Sequence, residues 1–240
     1  MRLLAAAVLL TVSTSLDAAP PVLVELFTSQ GCSSCPPADR VLLGLRERAI
    51  VLSMHVDYWN RLGWRDPYSQ AVFSERQQAY ARSAGTTRIY TPQMIVDGVE
   101  EFVGSDEGRV RRSVEAAARV QKGTLTLVVT GGPEVEVRVS VKDLPAIAVG
   151  DAAEVLVALA EDGLGNEVPR GENSGRRLVH TGVVRVLARA GEIAGGTRAF
   201  EKTVSLPVDP AFARKNLRIV AFVQARSTRR VLAVAERPLP

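Results

Sequence analysis

The chain has 240 residues, 46% of them hydrophobic and 23% charged, enough to bury more than one core and too apolar for general disorder. Thirty basic against 26 acidic residues give a formal charge of +4 with both signs interspersed. No run of five like charges and no basic stripe interleaved with aromatics is present, which argues against nucleic-acid binding.

Residues 1–19 begin with Arg2, run apolar from Leu3 to Leu10, and end in small and polar residues at Asp17-Ala18-Ala19. That order is the order of a secretory signal peptide, and the apolar run is far short of the roughly 20 residues that cross a bilayer. The expectation is an exported protein, periplasmic or secreted, with no stable membrane insertion.

Val22 to Phe27 suits a buried strand, and a helix is expected from about Pro37, with Val41, Leu42 and Leu45 on one face and Asp39 near its positive end. Ile50 to Val56 is a second buried strand, and Ser69 to Ala84 has helical spacing. Gln93–Val96 and Glu101–Val103 read as short strands around Asp97-Gly98, followed by a helix over Asp106–Lys122. From Thr124 the period changes to two. In Glu134–Val141 the valines at 135, 137, 139 and 141 alternate with Glu, Glu, Arg and Ser. Further strands fit Leu125–Val129, Glu154–Ala160, Leu178–Leu187, Thr203–Leu206, Leu217–Gln224 and Val231–Ala235. These patterns predict α/β organisation over residues 20–123 and an antiparallel β-sandwich over residues 124–240.

The two cysteines, Cys32 and Cys35, stand three apart between a strand and a helix. A disulfide stabilises chiefly by closing a long loop, and this loop holds two residues, so chemistry explains the pair better than stapling does. Exchange needs an attacking thiolate and a second thiol to release the mixed disulfide. Cys32, on the strand side, is expected to be the more exposed and to attack, with Cys35 resolving. Pro36 and Pro37 push the expected helix start past the cysteines, which would leave them less of the helix dipole and a modestly activated thiol.

The order of strand, CSSC, helix, and Thr91-Pro92 before a strand resembles the thioredoxin superfamily. That resemblance implies a thioredoxin-like N-terminal domain in which Pro92 is cis and faces the cysteines, with the Thr91 backbone pairing with an extended substrate. More narrowly, TSQGCSSCPPADR, VDYWNRLGWRDPYS, RQQAYA, YTPQMIVDG and GENSGRRLVHTGVVR are similar to a bacterial family of exported thioredoxin-like proteins catalogued as a domain of unknown function.

Several other residues admit two readings. His55 could join Cys32 and Cys35 around Cu(I) or be a satisfied structural histidine. Trp59 and Trp64, with Asp57, Tyr58 and Asp66, could floor a substrate groove or anchor their loop; Trp59 is placed with Thr91 and Pro92 as a substrate contact. In Gly171–Thr181, residues Glu172, Asn173, Arg176 and His180 could form a polar site or dock that loop onto the N-terminal half. The leading expectation is a thiol–disulfide oxidoreductase without a cofactor beyond its own redox-active disulfide, acting on exported protein thiols or a partner dithiol protein. The alternatives are a non-catalytic binding or assembly module and a Cu(I) delivery protein.

Overall fold

The computed structural model describes residues 19–132 and 134–240, so the expected signal segment through residue 18 lies outside the described residues. The first half runs β1 (Leu23–Thr28), α1 (Cys35–Gly44), β2 (Ile50–His55), a 3-10 turn (Tyr58–Leu62), α2 (Ala71–Ser83), β3 (Gln93–Val96), β4 (Glu100–Val103) and α3 (Glu107–Ala117). After Gly123 come β5 (Thr124–Thr130), β6 (Glu134–Lys142), β7 (Ala152–Glu161), β8 (Leu164–Glu167), β9 (Arg177–His180), β10 (Val183–Ala194), β11 (Phe200–Pro207), β12 (Leu217–Ala225) and β13 (Val231–Pro238). The fold is mixed α/β, mostly strands, with few helices.

Eight strands form one mixed sheet in the order β13-β12-β7-β10-β2-β1-β3-β4, and β11-β6-β5 form a second. Strands from both sides of Gly123 therefore share the main sheet. The joint is β10 on β2, parallel, through Val183 opposite Ser53 and the Ser53 N–H donating to Gly182 O at 2.7 Å.

Side-chain alternation dictates what covers each face. On one face Leu23, Phe27, Leu52 and Met54 continue into Leu156, Ala158, Val220 and Phe222, with Phe73 and Tyr80 of α2 packed on them. On the other face Val24, Leu26 and Val51 meet Ala38 and Leu42 of α1 and Val110 and Val114 of α3. Farther along that face Val155, Val157, Leu159, Ile219 and Val223 meet Leu127, Val135, Val137, Val139 and Leu206 of the three-stranded sheet.

Three sequence expectations change. Helix α1 starts at Cys35, because both prolines sit in the first turn, where a missing N–H removes no intrahelical bond. Asp39 is thereby the fifth helical residue and lies buried, past the positive end. The strand expected over Leu178–Leu187 is two strands, β9 and β10, divided at Gly182. There φ is +62°, and a Cβ would stand 2.5 Å from Val51 O and 2.7 Å from the Arg218 guanidinium, so only glycine fits this close approach.

A buried ion pair ties the main sheet to α2. Arg76 donates from Nε to Glu25 Oε1 at 2.7 Å and from Nη2 to Oε2 at 3.0 Å, while the Tyr80 hydroxyl donates to Glu25 and accepts from Gln224 at 2.8 Å. Burial raises the Tyr80 phenol, so it stays a donor. Breaking one partner leaves an uncompensated buried charge. Glu25→Gln is expected to lower unfolding free energy by about 3 kcal/mol in denaturant titration. Arg46→Ala, in the more exposed Asp162–Glu236 cluster, is expected to cost less than about 1 kcal/mol.

Candidate functional site

Beyond β1 the chain makes a tight turn: Cys32 N–H donates to Ser29 O at 3.1 Å and Cys35 N–H to Cys32 O at 3.2 Å. That turn delivers Cys35 to the first position of α1 and joins the two cysteines in a disulfide. The Ser34 hydroxyl lies 3.3 Å from Cys32 Sγ. Ser33 and Ser34 are exposed, yet Cys32 is only 1% exposed and Cys35 is fully buried. The expectation of an exposed Cys32 is corrected by what covers it.

The cover comes from both halves of the chain. The Thr91–Pro92 peptide bond is cis, and Thr91 O lies 3.9 Å from Cys32 Sγ. Trp59 is half-buried; its indole N–H donates to Thr91 Oγ1 at 2.8 Å, and its side chain flanks Gly31. From the other side, Asn173, fully buried, donates its amide to Gln30 O at 3.0 Å and to Cys32 O at 2.8 Å. Glu172 accepts from the Ser33 N–H at 2.8 Å and from the Ser33 hydroxyl at 2.7 Å. Of the two readings of Gly171–Thr181, the segment docks on the CSSC loop; Arg176 steadies it by donating to Asn173 Oδ1 at 3.1 Å.

Beneath this loop lies a buried polar cluster centred on Gln30, a residue to which the sequence assigned no role. Its amide donates to Asn166 Oδ1 at 2.6 Å and to His180 Nε2 at 2.9 Å. An amide donor requires His180 Nε2 to accept, which places the His180 proton on Nδ1, facing Asp39 Oδ1 at 3.6 Å. The Gln30 N–H donates to Asp66 Oδ2 at 2.8 Å, and the same oxygen meets His55 Nδ1 at 2.7 Å. The rings of His55 and His180 stand edge to face, 4.7 Å between centroids. One signal could have found Gln30: a lone amide side chain between a buried strand and a cysteine pair must be solvated or bonded.

Burial pulls the His55 pKa down, but the Asp66 charge and hydrogen bond outweigh it, so the net shift is upward from 6.5. Burial pushes Asp66 up, but His55 and the N–H groups of Gln30 and Tyr68 outweigh it, so the net shift is downward from 3.8. Both shifts favour the charged pair, and His55 Nδ1 stands 2.7 Å from Asp66 Oδ2 as its buried partner. Among the described residues no group of three or more His, Cys, Asp or Glu is placed to hold a metal ion. Asp57 accepts from the Ser74 hydroxyl of α2 and Tyr58 donates to Gln77, so both hold their loop on that helix. Trp64 is half-buried and outside these contacts.

The family described as Protein of unknown function (DUF1223) matches residues 23–224. The chain belongs to this family. Among solved structures, protein AGR_C_4864 from Agrobacterium tumefaciens is 29% identical, with a TM-score of 0.70 over 91% of this chain and 94% of that one. HBP35 of Porphyromonas gingivalis is 14% identical, with a TM-score of 0.67 over 92% of this chain and 76% of that one, a likeness of fold alone. No curated protein matches the chain. The DUF1223 match ends within β12, so it takes in the CSSC loop, the Trp59 loop, Thr91-Pro92 and the Glu172–Asn173 cover together.

The ion pair carries a pH signature. A raised His55 stabilises fully below its ordinary 6.5, and that contribution is lost as pH rises through the folded value. A lowered Asp66 stabilises above its ordinary 3.8, and that contribution is lost as pH falls through the folded value. Thermal unfolding across pH should therefore show the largest wild-type advantage over His55→Gln between pH 3.8 and 6.5. The advantage should narrow on the alkaline side.

Proposed function

We propose that the protein is an exported thiol–disulfide oxidoreductase, built as a thioredoxin-like unit over residues 20–123 and a β-sandwich over residues 124–240. The observation that carries the reading is the placement of the pair. A disulfide closing a two-residue loop stands at the N-terminus of α1, with Thr91 O 3.9 Å from the Cys32 sulfur. Such a bond adds little by constraining the unfolded chain. A helix N-terminus favours the thiolate that exchange requires.

In the reduced protein the Cys32 thiolate attacks a substrate disulfide, forming a mixed disulfide and releasing one substrate thiolate. Cys35, as thiolate, then attacks Cys32 Sγ and releases the second. Two electrons pass to the substrate, and the Cys32–Cys35 bond is remade. A partner dithiol protein restores the reduced pair; run backwards, the same steps oxidise exported protein thiols. The proposed substrate contacts are Thr91, whose carbonyl oxygen lies by the Cys32 sulfur, its neighbour Pro92 and its hydrogen-bond partner Trp59.

The burial of both sulfurs favours a second reading, a binding or assembly module whose disulfide stays closed. Equilibration with glutathione separates the two. A potential above about −250 mV fits a catalytic couple, and one below about −300 mV fits an inert bond. In the exporting cell, Cys35→Ala should accumulate mixed disulfides on Cys32 that Cys32→Ser lacks. Their absence would leave the binding-module reading.

A further inference from the structure

We infer that residues Gly171–Gly175 form a tethered gate over the main chain of the CSSC loop, and that Glu172 and Asn173 control access to Cys32. The identity of the displacing molecule rests on the oxidoreductase reading; the gate itself does not.

The bonds that close the gate are aimed at main chain. Asn173 donates to the carbonyls of residues 30 and 32, and Glu172 accepts from the N–H of Ser33. Two donors and one acceptor set against a backbone edge are the groups an extended polypeptide offers when it docks on exposed main chain. The molecule that replaces the gate without stranding those carbonyls is therefore a protein segment in extended form. A small thiol without amide groups, such as dithiothreitol, cannot make the same set of bonds.

The gate is also built to move without coming apart. Its base is closed by Val168 N–H to Arg176 O at 2.9 Å and Gly175 N–H to Val168 O at 2.8 Å. Inside it, Ser174 N–H donates to Gly171 O and Arg176 N–H to Asn173 O, each at 3.1 Å. Glycines with left-handed backbone bracket the tip, φ +89° at Gly171 and +76° at Gly175. The hairpin behind it stays fixed by Gln30 to Asn166 and His180. Opening thus gives up the bonds to residues 30–33 and keeps those within the segment. Glu172 holds the exposed Ser33 from the surface through two bonds, and Asn173 is the buried latch.

The test is the rate at which dithiothreitol reduces the disulfide of the full chain, followed by thiol labelling. A gated bond gives a wild-type rate that levels off at high reductant, at the opening rate. Glu172→Ala and Asn173→Ala should each raise the rate at low reductant by about tenfold. Glu172→Ala removes only an exposed side chain, so it serves if Asn173→Ala fails to fold. A wild-type rate linear in reductant and equal to that of Glu172→Ala overturns the gate.

The companion measurement is mixed-disulfide trapping in the Cys35→Ala background. Fast reduction of the gate variants with no trapped protein sustains the gate and removes the oxidoreductase. Trapped protein with identical reduction rates in all variants does the reverse.

Discussion

Strand β10 meets β2 through the single pair Val183 and Ser53, with Gly182 pressed against Val51 O just before it. A side chain at residue 182 would have to displace the backbone of β2 or the Arg218 guanidinium, which itself donates to Val51 O. This contact makes one sheet of eight strands from two stretches of chain that differ in pattern. It also sets where the β8–β9 hairpin must lie, since β9 ends two residues before Gly182. From there the hairpin tip reaches the CSSC loop. The cover on the disulfide is a consequence of how the sheet is joined.

Around that contact the chain buries polar groups that are costly to desolvate without partners. Gln30 answers most of the demand, with its N–H on Asp66, its amide on Asn166 and His180, and its carbonyl taken by Asn173. Asp66 comes from the loop before α2 and the other three partners from the β8–β9 hairpin, so these two segments and the loop after β1 hold one another in register. The His55–Asp66 pair contributes a charge balance that Gln30 alone could not supply. The disulfide therefore sits on a hydrogen-bonded polar floor, and the segment above it combines its own turns with bonds to residues 30–33.

Much of this was legible from local pattern. The alternating valines of Glu134–Val141 announced β6, and the apolar runs at Val22 and Ile50 announced the paired strands β1 and β2, because burial on one or both faces leaves its period in the chain. The start of α1 was misplaced because the restriction a proline puts on its predecessor was weighed above its tolerance in a first turn. The division at Gly182 was missed because its cause is Val51, far off in sequence. The same holds for the site. The polar segment Gly171–Thr181 stood out as a feature, but that its Asn173 would cap Cys32 depends on a contact 141 residues long, which no local pattern encodes.

The most direct measurement of the account is amide hydrogen exchange at Ser33 in the oxidised protein. Ser33 is exposed at the surface, and the acceptor of its N–H is Glu172. Slow exchange in the wild type that becomes fast in Glu172→Ala is the predicted result. Exchange at the rate of an unprotected peptide in the wild type would mean that the two halves of the chain do not close over the disulfide.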